Sequence, residues 1–236
     1  MTRLNEFGQP IGDDLDGWTP PAYHAHERLV GKYVTLEPMS VELHAEAVLA
    51  AFDDAPESTW TYLHWPPVHS VESVTAVINW LNDQPDWLPW AVVVDGTVTG
   101  FLSYLRIDPP GGVTEIGGIV FSPAMQRTPM STEAVFLLIK KAFDDGYRRV
   151  EWKCDDLNAP SRAAALRFGM TYEGTFRQAT HYSGRNRDTA WFSTLDSEWP
   201  TGLAAFEAWL ADQNFDDDGQ QIRSLGTIRA EIGASS

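Results

Sequence analysis

The chain has 236 residues, 43% of them apolar, and a formal net charge of −16. That is enough apolar material for one large domain or two small ones, and the acidic balance excludes a general nucleic-acid binder. No run approaches the ~18 apolar residues of a membrane helix, the opening "MTRLNEFGQPIGDD" lacks the apolar core of a secretory signal, and the single cysteine, Cys154, fits a reducing, cytoplasmic setting without disulfides.

Residues 1–29 are rich in Gly, Pro and Asp and read as an extended arm that Trp18 and Tyr23 would pin to the body. Residues 33–37 read as a short strand, and 41–52 has helical spacing through Leu43, Ala47, Val48 and Ala51. An aromatic loop, "STWTYLHWPPVHS", precedes a second helix opened by Ser70, with apolar positions at Val74, Val77, Ile78 and Leu81. "WAVVV" and "VTGFLSYLRI" flank Asp95-Gly96, the strongest short-range hairpin signal. "DPPGG" then turns the chain into "TEIGGIVF".

Residues 132–143 are predicted helical, with Gly146 just past the C-cap. "RRVEWKC" alternates, placing Val150, Trp152 and Cys154 on one side and Arg149, Glu151 and Lys153 on the other. A helix over 158–168 is closed by Gly169, and strands at 171–182 and 187–196 meet at "SGRN". The chain ends on an amphipathic helix over 201–210 and an acidic tail, grouped here as 201–236. This order predicts one α/β (α+β) domain over 30–200, in which a crossover helix makes "EIGGIVF" and "RRVEWKC" parallel neighbours.

Gly117 and Gly118 fall inside that central strand, where glycine marks a bulge, the close approach of another backbone, or tight helix packing. The loop 122–130 feeds a helix expected to begin near Ser131. Helix N-termini present unpaired N–H groups and favour anions. Arg127 adds a charge there, while Thr128, Ser131 and Thr132 add hydroxyls. The competing reading is that Ser131 or Thr132 merely caps the helix, with Glu133 in its first turn. Residues 140–187 hold ten of the seventeen Lys and Arg against six acids, which suits a phosphorylated ligand or a solvated mixed-charge face. No P-loop motif is present, and no metal site is expected.

The strand "EIGGIVFSP", the loop "QRTPMSTEA", the segment "NAPSRAAALRFGM" and the ending "YEGTFRQ" resemble the GNAT superfamily of acetyl-CoA-dependent N-acetyltransferases, over roughly 30–197. The branch most resembled is the Rim type, which acetylates ribosomal-protein N-termini. The resemblance implies a mixed central sheet with two splayed parallel strands and flanking helices. It implies acetyl-CoA along Gly118, Ile119, Val120 and Phe121, with an N–H near Ile119 or Val120 polarising the thioester carbonyl.

The family's pyrophosphate loop falls on Gln126, Arg127, Thr128, Pro129, Met130 and Ser131, followed by Thr132. Gln126 matches, whereas Pro129 and Ser131 replace the two small residues. Proline removes one donor yet suits a first helical turn, so the loop reads as a modified but working cradle. Asn158 and Ser161 match N-x-x-S; the Asn would contact the pantetheine arm and the Ser would protonate the leaving thiolate. Asn158 as a simple N-cap explains the same segment. Ala165 stands where many members carry a tyrosine acid, and Arg167 would reach the nucleotide phosphates.

Glu115 matches a carboxylate that would take the amine's proton through water, or it is a strand residue in an ion pair. His181 and His64 are further candidates for the base. The acceptor amine would lie among Trp60, Tyr62, His64 and Trp65, facing Tyr182, Tyr104 and His181. Those aromatics could equally be core. The implied activity is direct transfer of acetyl to a primary amine, of a small molecule or a protein N-terminus. The rival is a related CoA- or peptide-binding module that has lost catalysis. The sequence leaves a homodimer open.

Overall fold

A computed structural model of the chain describes residues 3–234. In the N-terminal arm, β1 (Arg3–Leu4) and β2 (Pro10–Ile11) form a small antiparallel hairpin. The body follows in the order β3 (Leu29–Val30), β4 (Thr35–Pro38), α1 (Val41–Ala51), α2 (Val71–Asn82), β5 (Leu88–Val94), β6 (Thr97–Asp108), β7 (Val113–Phe121) and α3 (Pro129–Asp144). It continues with β8 (Arg149–Asp155), α4 (Ala159–Arg167), β9 (Thr171–Tyr182), β10 (Arg185–Leu195), α5 (Trp199–Leu210) and α6 (Leu225–Ala234). One eight-stranded sheet runs β3-β4-β5-β6-β7-β8-β10-β9, and all neighbours are antiparallel except β7 and β8. This is the mixed α/β sheet the element order predicts.

Both faces of the sheet are covered. One apolar cluster joins Trp90, Leu102, Ile116 and Trp152 to α3, α5 and α6 through Leu138, Phe206 and Ile228. The other packs Phe101 and Val120 against Val48, Val74 and Ile78 of α1 and α2. No helix among the described residues is long and apolar enough to cross a membrane.

The sheet parts in its middle. β7 pairs with β8 only through Val113↔Arg149, Thr114↔Val150 and Glu115↔Glu151. Beyond Glu115 the two strands diverge, because each follows a different partner: β7 stays on β6, and β8 stays on β10. Two bulges bend the β6–β7 pair. At one, Gly118 and Ile119 stand opposite Leu102 alone, with Gly118 at φ +58°; at the other, Arg106 and Ile107 stand opposite Thr114, with Arg106 at φ +48°. Such bulges bend a strand and re-aim its side chains.

Three elements differ from the sequence expectation. Helix α3 begins at Pro129, earlier than Ser131, and its N-cap is Thr128, whose hydroxyl accepts from the Ser131 N–H. Proline's fixed φ and missing donor fit that first position. Helix α5 begins at Trp199 rather than 201. The tail beyond the Asp216–Asp218 run holds α6, whose Leu225 and Ile228 are buried and whose Arg229 donates to the Leu166 and Arg167 carbonyls at the end of α4.

Candidate active site

Where β7 and β8 part, a cavity of about 400 Å³ opens. Its floor is the pair of diverging strands, with Glu115 to Ile119 on one side and Trp152 to Asp155 on the other. Asn158 and Ser161 close one end from α4, the loop at 62–65 covers a second side, and the β9–β10 hairpin forms the last wall with Phe176, Arg187 and Trp191.

A ladder of charge crosses the floor. Glu115 is 3% exposed and pairs with Arg106 and, at 3.1 Å, with the ammonium of Lys153. Lys153 also bridges to Glu151 at 2.5 Å, and Arg149 links Glu151 to Glu173. The Lys153 ammonium lies 3.6 Å from the Trp191 ring centroid. Burial raises the Glu115 pKa above the ordinary carboxylate value, against the pull of Arg106 and Lys153. Desolvation opposes a charge more strongly here than two partial neutralisers favour it. The result is a carboxylate with raised proton affinity in the lining of the cavity.

Ser161 sits at the third position of α4. Its N–H is capped by the Asn158 side chain at 3.2 Å, and its hydroxyl accepts from the Trp152 indole at 3.0 Å. Asn158 is therefore an N-cap and a cavity wall at once. Ala165 is fully buried, so it offers the cavity no group. Cys154 also lines the cavity, and burial pushes its thiol up, away from the reactive thiolate.

Beyond Phe121 the chain makes the turn into α3. The Gln126 amide folds back onto the Phe121 carbonyl at 2.9 Å. Thr128 and Ser131 hydroxyls donate to the Met125 and Thr128 carbonyls. What this loop offers a ligand is thus backbone N–H groups and Arg127, which is exposed, at φ +62°, and without an ion pair among the described residues. Thr132 is buried, and the Arg167 guanidinium reaches its hydroxyl at 3.0 Å while stacking over Trp209 at 4.9 Å.

Of the acceptor residues expected from sequence, Tyr62, His64 and Trp65 line the cavity. The Tyr62 hydroxyl donates to the Leu157 carbonyl at 3.1 Å, tying the loop to the head of α4. The His64 ring accepts from Arg187 at 3.2 Å, and its pKa is lowered by burial, Arg187 and Arg106. Tyr182 stands behind this wall, 5.5 Å from the His64 ring, and donates to Asp155; its pKa is raised to about 12 by burial and Asp155.

Three expectations are corrected. Trp60 is buried against Phe52 in the α1–α2 core. Tyr104 is fully buried on the opposite face of the sheet from Glu115, between Trp90 and His24, with its hydroxyl on the Leu138 carbonyl. The register explains it, since Leu105 stands opposite Glu115, so neighbouring Tyr104 must face away. His181 lies exposed near the hairpin tip, outside the cavity, which removes it as a base. Conversely, Arg106, Lys153, Trp191 and Arg187 were not read as site residues, although the clean alternation of "RRVEWKC" already set Lys153 on the face of Glu151.

The cavity thus combines a strand edge left free by the parting of β7 and β8, a buried carboxylate and a hydroxyl, close to the strand that runs on into the N-terminus of α3. The family model for the acetyltransferase (GNAT) domain matches residues 34–171. The chain belongs to this family: it is an acetyltransferase, and acetyl-CoA is its donor. A GCN5-related N-acetyltransferase from Brucella melitensis is 43% identical over 92% of this chain and 100% of its own, with a TM-score of 0.88. The microcin C7 self-immunity acetyltransferase MccE, solved with acetyl-CoA and AMP, is 23% identical (70% and 93% covered, TM-score 0.62). A Salmonella typhimurium acetyltransferase that modifies the N-terminal serine of a 50S ribosomal subunit protein is 20% identical (70% and 96%, TM-score 0.60). The last two show likeness of fold alone. A comparison with curated proteins finds no match.

Proposed function

We propose that the enzyme transfers acetyl from acetyl-CoA directly to a primary amine, of a small molecule or a protein N-terminus, in the cavity between β7 and β8. The observation that supports this reading is the buried Glu115, set on the cavity floor at the last residue of β7 that pairs with β8. In this reading the free edge of β7 from Gly118 to Phe121 pairs with the pantetheine arm, and an N–H near Ile119 or Val120 polarises the thioester carbonyl. Arg127, with the backbone of Thr128 and Met130 to Thr132, holds the pyrophosphate at the head of α3, with Arg167 beside it.

Glu115 takes the proton of the incoming ammonium, directly or through water, because a protonated amine has no lone pair for attack. The amine nitrogen bonds to the carbonyl carbon, the C–S bond breaks, and Ser161 gives its proton to the departing sulfur while the proton shed by the new amide nitrogen replaces it on the serine oxygen, directly or through water. His64 is less suited to the first task. Its Nε2 already accepts from Arg187, so the neutral ring carries its proton on Nδ1. The likeness of "EIGGIVFSP" and "NAPSRAAALRFGM" to the Rim branch supports a protein N-terminus as one acceptor.

A panel of amines and N-terminal peptides, assayed for acetyl-CoA-dependent thiol release, tests the reading. Direct transfer predicts intersecting initial-velocity patterns. Parallel lines would indicate an acetyl-enzyme. Acetyl-CoA binding without turnover of any amine would favour instead a CoA- or peptide-binding module, to which the loss of one N–H at Pro129 and the missing hydroxyl at Ala165 would then be the clues.

A further inference from the structure

The acceptor end of the cavity holds one cation, Arg187, that no carboxylate pairs with among the described residues, whereas Arg106 and Lys153 are paired with Glu115 and Glu151. Three cationic side chains line it, Arg106, Lys153 and Arg187, against two carboxylates, Glu115 and Asp155. Arg106 and Lys153 are both paired with Glu115. Asp155 is occupied by the Tyr182 hydroxyl at 2.7 Å and the Leu157 N–H at 2.9 Å. Arg187 has no ion pair among the described residues. One of its terminal nitrogens donates to His64 at 3.2 Å, and its Nε is buried without an acceptor.

Two more cavity residues tell the same story. The indole N–H groups of Trp65 and Trp191 are buried and have no acceptor in the protein. His64 offers no negative charge, since it accepts a hydrogen bond from a guanidinium. The wall formed by the 62–65 loop and the β9–β10 hairpin is thus rich in donors and poor in acceptors.

A simple amine or a polyamine would enter this wall as a cation facing an unpaired cation, which costs free energy. A ligand carrying an anionic oxygen group beside its amine removes that cost. Guanidinium binds carboxylate and phosphate oxygens through paired N–H donors, and such charge-assisted bonds are about twice as strong as neutral ones. The amine end is then left to face Glu115 on the cavity floor.

We infer that the acceptor is a small amine bearing an anionic oxygen group, carboxylate or phosphate, and that Arg187 is the residue that selects it. This rests on the acetyl-transfer reading above and narrows it. A protein N-terminus, whose first residue carries an amide in place of a carboxylate, satisfies Arg187 less well.

The test compares matched pairs with the full-length enzyme: L-amino acids against their α-carboxamides, aminoethyl phosphate against ethanolamine, and spermidine as a polycation. The expected result is a kcat/KM at least roughly 10-fold higher for the anionic member of one pair, carried mainly in KM. Which pair shows it separates carboxylate from phosphate. Arg187→Gln should bring that ratio close to one, and Arg187→Lys should restore part of it. Equal use of the acid and the uncharged member in both pairs, or a preference for spermidine, would overturn the inference. If no amine releases thiol, the acetyl-transfer reading fails separately. The same pairs are then compared by calorimetry on the enzyme–CoA complex, and failure to discriminate there would also refute the role of Arg187.

Discussion

Glu115 is pulled in two directions, and in the proposed mechanism the balance sets the pH at which the site works. Burial raises its pKa, Arg106 and Lys153 lower it, and burial prevails. Lys153→Gln removes one of the two lowering cations, so the acid limb of the rate profile should move to higher pH. The same change strips a buried carboxylate of a partner and should cost about 3–5 kcal/mol by urea unfolding. A profile that stays in place would mean that Glu115 does not titrate in the reaction. In the proposed mechanism Ser161 belongs to the later step. Ser161→Ala should lower kcat only mildly, because a thiolate with pKa near 8.5 leaves without full protonation, and raising pH should not rescue it. A loss as deep as that of a missing base would contradict the assignment.

Some of these residues could be read from the sequence and some could not. The resemblance carried by the Gly-Gly strand and the Asn-x-x-Ser segment points to Glu115 and Ser161, and both line the cavity. Arg106 is not legible, since its aim onto Glu115 depends on a bulge with a left-handed φ that no glycine announces. Tyr104 and Trp60 were misplaced for the complementary reason. Aromatic content marks both pocket and core, and only the strand register and the α1–α2 packing decide between them.

Among elements, α3 joins the two halves of the account. In the proposed reading its N-terminus faces the donor, and one turn in, the buried Glu133 carboxylate accepts from the N–H groups of Lys32, Tyr33 and Val34 at 2.6 to 2.8 Å. Glu133 thereby pins the β3–β4 turn to α3, a long-range role that the sequence expectation of a first-turn Glu did not suggest. Glu133→Ala would leave three N–H groups without their acceptor, at ~1–3 kcal/mol each for those that stay buried. An unfolding free energy reduced by about 3 kcal/mol or more is expected; a loss below 1 kcal/mol would mean water replaces the carboxylate. Arg127 acts at the exposed end of the same helix. Arg127→Ala should weaken CoA several-fold while leaving the phosphate-free pantetheine fragment unaffected in calorimetric titrations. Equal losses for both would return Arg127 to the solvated surface.

At the scale of the whole molecule, the arm is held by aromatic contacts the composition only hinted at. Trp18 donates to the Gly146 carbonyl, Tyr23 to the Pro85 carbonyl, and His24 is stacked between Tyr104 and Tyr147 with Nδ1 2.6 Å from Asp145. Burial lowers the His24 pKa in spite of Asp145. The unfolded chain therefore takes up a proton near the ordinary histidine value of about 6.5 while the folded chain does not. Stability from this group is present above that value and is lost as pH falls below it. His24→Phe keeps the stacking and should flatten the fall in unfolding free energy between pH 7.5 and 5.5, as read by urea titration.

The central claim is that the parting of β7 from β8 places a working base, Glu115, at the acetyl donor. The kcat–pH profile of Glu115→Gln beside wild type tests it most directly. The account predicts a roughly 10²–10⁴-fold lower kcat at neutral pH, partial recovery as pH rises and more amine arrives neutral, and unchanged acetyl-CoA binding. Near-normal turnover at neutral pH would contradict it, and would leave His64 as the histidine within reach of the reaction.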